Sequence, residues 1–212
     1  MVKSFLLNIT KQVRKFSKVS SRDESRLKEL NCPVIPIIVK PPKVIAWSRP
    51  GDGCFELNVD GGSNGNPGPF GAGGILQDAR GHALAGFAHS YGVTTNSIVE
   101  VLALFDGLRM VQLRGLQNLL IQSDSKVVVG WLNLGIRNLW YMWDFWEEIL
   151  YLFRALNCRI HHIYREANMV ANFLSKESAN SRIMDFDGDD IGIGRLRGLL
   201  RTDYLEMPYL RR

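Results

Sequence analysis

From Cys54 onward, apolar and polar residues alternate in short runs that end in turns. CFELNVD (54–60), AGGILQD (72–78) and HALAGFAHSYG (82–92) carry this pattern, and Gly-rich turns including Ala79-Arg80-Gly81 join them. Period-two alternation puts one side of each run against a core, and short connections make neighbours antiparallel, so a three-stranded meander is predicted. The interval then lengthens. Val101, Leu104, Phe105, Leu108 and Val111 recur at helical spacing over Ser97–Leu113, and Gly115 suits a helix C-cap. NLLIQSD (118–124) is a short apolar run that stops at an acid, and SKVVVGWLNL (125–134) reads as helix despite its β-branched residues. Tyr141–Leu156 offers Trp143, Trp146, Ile149, Leu150 and Phe153 to a core, CRIHHIY (158–164) reads as a strand, and ANMVANFLSKESAN (167–180) as a final helix. Hairpin strands followed by strand and helix in alternation define an α/β fold, a mixed sheet with helices on its faces.

The flanks differ from this centre. Residues 1–22 carry six basic residues and no acid, with Phe5, Leu6, Ile9, Val13 and Phe16 at roughly helical spacing. This reads as a basic amphipathic helix, with an organelle transit peptide as the alternative. NCPVIPIIVKPPKVIAWSRPGDG (31–53) is rich in proline, which withholds the donors that helices and central strands need, so residues 1–53 are expected to be a basic helix and an extended linker. The folded domain is expected over residues 54–180, followed at 181–212 by an acidic linker and a basic tail. DFDGDDIGIG (185–194) resembles a calcium loop only superficially, because its glycine is misplaced and Leu196 stands where a bidentate Glu is required.

Charge and composition add little. A net charge of +5 favours an anionic partner such as nucleic acid. Three scattered cysteines suggest neither a disulfide framework nor a zinc site, and no apolar run reaches membrane-span length. A non-secreted monomer away from membranes is expected, its compartment open between nucleus and organelle.

Three acids stand out on the outline. Asp60 ends the first strand, Glu100 opens the first long helix and Asp124 ends the fourth strand. If the first and fourth strands are neighbours, Asp60 and Asp124 emerge together and Glu100 covers them from the helix. Crowded carboxylates repel unless a cation compensates, which points to a hard divalent ion, Mg²⁺ or Mn²⁺. Taken singly, each acid serves capping or solubility equally well.

The strings NVDGGSNGNPGPFGAGGILQD (58–78), TTNSIVEVLAL (94–104), IQSDS (121–125) and YREANMVANFLSK (164–176) together resemble the ribonuclease H family, type 1, in its plant retroelement-related branch. The likeness covers roughly residues 54–180 and agrees in order, spacing and context. It implies a five-stranded mixed sheet, three antiparallel strands then two parallel, flanked by helices. It also implies hydrolysis of the RNA strand of RNA–DNA hybrids with two Mg²⁺ ions, for which Mn²⁺ can substitute. Asp60, Glu100 and Asp124 fall on the family's metal-binding acids. Asn66 and Asn96 match positions that contact the hybrid, with Ser63 and Ser97 beside them; turn formation and helix capping are their alternative roles.

The pattern departs in three places. The fourth acid, expected within the last motif, is Asn172, whose amide oxygen can hold a metal or a water but brings no charge. Ile163-Tyr164-Arg165-Glu166 replaces the histidine-bearing loop of many family members, and His161 and His162 are expected to serve the strand they sit in. No Lys- and Arg-rich insertion lies between Trp131 and Tyr141, so the basic flanks become candidates for affinity, or remain solvated faces. A hybrid nuclease weakened at Asn172 is expected; the alternative is a non-catalytic nucleic-acid-binding module on the same fold.

Overall fold

The computed structural model describes residues 20–32, 41–63, 68–135, 142–188 and 193–211. The chain divides into two units, Met1–Lys43 with Arg212, and Val44–Arg211. In the first, helix α1 (Ser21–Glu29) is opened by a capping box: the Ser20 hydroxyl accepts from the Asp23 amide, and the Asp23 carboxylate accepts from the Ser20 amide. None of its residues is buried. The basic helix expected upstream lies outside the described residues.

A short β1 (Lys43–Ile45), whose Val44 and Ile45 belong to the second unit, pairs with β8 (Tyr209–Arg211) of that unit. The main sheet contains β2 (Phe55–Ser63), β3 (Gly68–Gln77), β4 (Ala83–Thr94), β5 (Leu119–Ser123), β6 (Arg159–His162) and β7 (Met184–Asp187) in the order β6-β5-β2-β3-β4-β7. The meander β2-β3-β4 is antiparallel, and β5 runs parallel to both β2 and β6. This is the expected mixed sheet, with one correction: it has six strands where five were expected. The sixth, β7, comes from the run read as acidic linker. Its MDFD alternates, half-burying Met184 and Phe186 and exposing Asp185 and Asp187, and the outward acids meet basic partners at His89 and Arg114. Acidic composition concealed a period-two strand.

Helices cover both faces. Leu57, Val59, Phe70, Ala72 and Leu76 point to one side, where they form a core with α2 (Asn96–Leu113), α3 (Lys126–Leu134) and α4 (Trp143–Ala155). Fully burying side chains such as Leu104, Leu108 and Ile149 there stabilises the domain by about 1.5–3 kcal/mol each before entropy is charged. On the other side, Ile75 and Ala88 meet Val170, Phe173 and Leu174 of α5 (Met169–Ala179) and Leu196 and Leu200 of α6 (Gly194–Tyr204). The glycines after Asp60 have a packing role here. A Cβ on Gly71 or Gly73 would lie 2.4 or 2.3 Å from backbone nitrogens of α5, so glycine lets that helix rest directly on β3. No helix among the described residues is long and apolar enough to cross a membrane.

Candidate metal centre

The parallel pairing of β2 with β5 sets the site. Val59 is in register with Ser123, so Asp60 and Asp124 stand side by side, Asp124 just beyond β5 and Asp60 still within β2, which runs on to Ser63 and does not end at Asp60 as expected. Glu100 arrives from the first turns of α2, because that helix begins just beyond β4 and crosses the end of β2. A Cβ on Gly61 would stand 2.7 Å from the Glu100 amide nitrogen, so glycine permits this approach. One ligand oxygen from each of Asp60, Glu100 and Asp124 lies within 4.8 Å of the others. The structure thus brings together the three acids predicted from the sequence.

Their surroundings are those of a cation site. Asp60 is fully buried, and its Oδ2 accepts from the Ser175 hydroxyl at 2.5 Å. Glu100 Oε2 accepts from the Gly61 amide at 3.2 Å, and Asp124 Oδ2 accepts from Arg165 Nε at 3.0 Å. Asp60 Oδ1 and Asp124 Oδ1 are buried with no hydrogen-bond partner among the described residues. Burial, and then the charge of Asp124, push the Asp60 carboxyl up to about 7. Burial also holds Glu100 well above the usual carboxylate range, reinforced by the charges of Asp60 and Asp124. Orphaned buried oxygens on hard donors, strained toward their protonated forms, fit a divalent cation that would displace those protons.

The other predicted residues lie around this centre. Ser63 Oγ donates to Asn96 Oδ1 at 3.4 Å, joining the end of β2 to the start of α2, and Ser97 follows in the helix's first turn. Thr95, not Asn96, occupies the N-cap position. Asn66 lies outside the described residues. Asn172 is buried on α5, between Asn168, whose Nδ2 donates to the Val59 carbonyl, and Ser175. Residues 168, 172 and 175 are spaced to share one helical face, so Asn172 stands on the face that touches β2 at Val59 and Asp60. His161 and His162 pair with β5, and the His162 ring meets Tyr164 edge-on.

Sequence reasoning missed Ser175, Asn168 and Arg165. A signal was available for the first two: polar residues at positions 168, 172, 175 and 178 recur at helical intervals among apolar ones, and all four are buried. Nothing local announced Arg165, whose partner is 41 residues away.

A family model described as "Reverse transcriptase-like" matches residues 58–178. The chain belongs to this family and carries a ribonuclease H domain. It is 32% identical over 165 residues to a protein of Arabidopsis thaliana named "Putative ribonuclease H protein", covering 77% of this chain but 26% of that one. It is also 36% identical over 92 residues to the ribonuclease H of Trichodesmium erythraeum, covering 41% of this chain and 55% of that one. The chain therefore spans about a quarter to a half of these relatives. Among solved structures, RNase H1 of Halobacterium salinarum aligns at 25% identity with a TM-score of 0.53, covering 60% of this chain and 98% of that one. LC11-RNase H1 in complex with an RNA/DNA hybrid aligns at 26% identity with a TM-score of 0.54, covering 60% and 97%.

Proposed function

We propose that the protein is a metal-dependent endonuclease that hydrolyses the RNA strand of RNA–DNA hybrids, working at reduced strength because residue 172 is asparagine. The observation that carries this reading is the triad of carboxylates within 4.8 Å, two of them with orphaned oxygens, at the sheet edge of a ribonuclease H domain. The relative in complex with an RNA/DNA hybrid supports the substrate class.

In this reading Asp60, Glu100 and Asp124 hold Mg²⁺, or Mn²⁺ in its place, and Asn172 contributes a neutral oxygen. The family resemblance implies two ions. When bound, such ions polarise a phosphate and lower the pKa of a coordinated water. The chain's own groups orient the rest. Ser175 fixes the rotamer of Asp60 and favours its ionised form. Asn66, Asn96, Ser63 and Ser97 contact the hybrid beyond the acids, where amides and hydroxyls recognise a ribose 2′-hydroxyl. An amide at 172 leaves one charge fewer to hold the second ion, so weaker metal binding and slower turnover follow.

A labelled hybrid incubated with Mg²⁺ or Mn²⁺ tests this. Metal-dependent product that disappears in Asp60→Asn supports the nuclease, and Asn172→Asp is expected to raise both metal affinity and rate. A native protein that retains hybrid without cutting it would support the second reading, a nucleic-acid-binding module. One observation favours that reading: Arg165 already neutralises part of the charge on Asp124.

A further inference from the structure

Beside the acid cluster lies a groove of about 300 Å³, whose lining includes Asp124, Lys126, His162, Tyr164, Arg165 and Arg211. Its charge is opposite to that of its neighbour. Lys126, Arg165 and Arg211 face one carboxylate, and a cationic rim repels the very ion that the acids attract. The two sites are compatible if the ligand is anionic and bridges them, as a nucleic-acid backbone does when one phosphate meets metal and an adjacent one meets protein.

The three cations come from separate parts of the chain. Lys126 is the first residue of α3, exposed and without a carboxylate partner among the described residues. It stands where the helix's free backbone amides also favour negative charge. Arg165 gives Nε to Asp124 at 3.0 Å, and among the described residues its terminal nitrogens have no acceptor. Arg211 lies in β8, far along the chain. Its guanidinium sits 4.3 Å from the centroid of the Tyr164 ring, and Nη1 donates to Glu166 at 3.1 Å. The ring and Glu166 hold this guanidinium in place, its other nitrogens make no further hydrogen bond among the described residues, and a planar guanidinium fixed in this way suits bidentate contact with phosphate. The groove is at the small end of ligand-pocket sizes, matching one nucleotide unit and not a whole duplex.

We propose that Lys126, Arg165 and Arg211 form a phosphate subsite that grips one backbone phosphate of the nucleic acid next to Asp124, the C-terminal strand supplying its third cation. This rests on the nucleic-acid reading above. It gives the chain a source of backbone affinity that compensates for the missing basic insertion.

The test is fluorescence anisotropy with a short labelled RNA–DNA hybrid in EDTA, in which single phosphates of the RNA strand are replaced in turn by neutral methylphosphonate. For the native protein, one position is expected to cost about tenfold in affinity, the scale of a charge-assisted contact. Lys126→Ala and Arg211→Ala are each expected to weaken binding of the unmodified hybrid about tenfold and to reduce the salt slope by about 0.9, the loss of one phosphate contact. Each variant is also expected to become insensitive at that same position. Variants that bind with native affinity and salt slope would overturn the subsite, as would variants that lose affinity equally at every substituted position or a native protein that leaves the hybrid unbound. Cleavage is read separately. A native protein that shows the position-specific coupling but makes no product keeps the subsite and loses the nuclease; one that cuts without the coupling does the reverse.

Discussion

Glu56 and Asp60 lie on the same face of the same strand, and both are fully buried with carboxyls pushed upward, to about 8 and about 7. They do not do the same thing. Around Asp60, separate elements converge: Asp124 follows β5, Glu100 comes from α2 and Ser175 from α5, and the cationic groove lies alongside. Around Glu56, the chain closes over. Trp47 is buried there and donates to Asn58, and the second acid, Asp203 of α6, is itself pushed up by burial to about 7. Among the described residues neither Glu56 oxygen has a hydrogen-bond partner, and Gln77, its neighbour on β3, leaves Oε1 unpaired. Burial and a shifted carboxyl are therefore common to a candidate site and to a sealed interior. What separates them is position: the strand end is where side chains from adjacent elements can point at one outside atom, and the strand start here is not.

Substitution at the two positions should divide accordingly. Asp60→Asn is expected to lower hybrid cleavage at least about a thousandfold, the several kcal/mol of charge stabilisation that a misplaced metal forfeits at about 1.4 kcal/mol per tenfold. Glu56→Gln is expected to leave cleavage within about twofold, as single-turnover rates would show. A comparable loss from Glu56→Gln would erase the distinction.

Stability should invert the ranking. The folded pKa of Glu56 lies above its ordinary value of 4.5, so the folded state retains a proton that the unfolded chain releases. Its contribution is full below pH 4.5 and is lost as pH rises toward 8. Glu56→Gln removes that loss. In urea titrations without metal it is expected to stabilise the protein at pH 8.5 by on the order of 3 kcal/mol, allowing for relaxation around a buried carboxyl, and to change little at pH 4. Added Mn²⁺ probes the other end of the strand. At 100 times its Kd it should raise native stability at pH 8 by about 2.7 kcal/mol, and Asp60→Asn should lose most of that gain.

These two ends of β2 also mark how far the sequence could be read. The alternation of CFELNVD and its stop at an acid made the strand and Asp60 legible, and the helical intervals after Ser97 did the same for Glu100. Asp124 was legible because an apolar run stopped at it. The sealed end was not, since Glu56 and Asp203 are 147 residues apart and only tertiary packing joins them. The glycines were half-read. They were read as turns joining the strands, yet Gly71 and Gly73 lie within β3 and admit α5, a role decided by a helix a hundred residues later. The sixth strand was missed because the acids of MDFD dominated its composition while its alternation spanned only four residues.

The smallest expected effect is the most specific, because among the described residues no hydroxyl donates to Glu56 as Ser175 does to Asp60. Its hydroxyl donates to Asp60 Oδ2 and favours the ionised form, the form that holds a cation. Ser175→Ala should therefore move the acidic limb of the cleavage profile upward by about one pH unit, about 1.4 kcal/mol, through Asp60 alone. Activity near pH 7 would fall about fivefold, approaching tenfold at lower pH, while activity well above both pKa values would be nearly native. A merely structural serine would depress every pH equally. Ser178→Ala supplies that comparison, since among the described residues Ser178 donates to the carbonyls of Ala72 and Ser175 and to no carboxylate. A limb that moves in Ser175→Ala but stays in Ser178→Ala assigns the effect to the carboxylate. If both variants shift the limb alike, the packing of α5 on β3 governs the site and the hydroxyl has no electrostatic role.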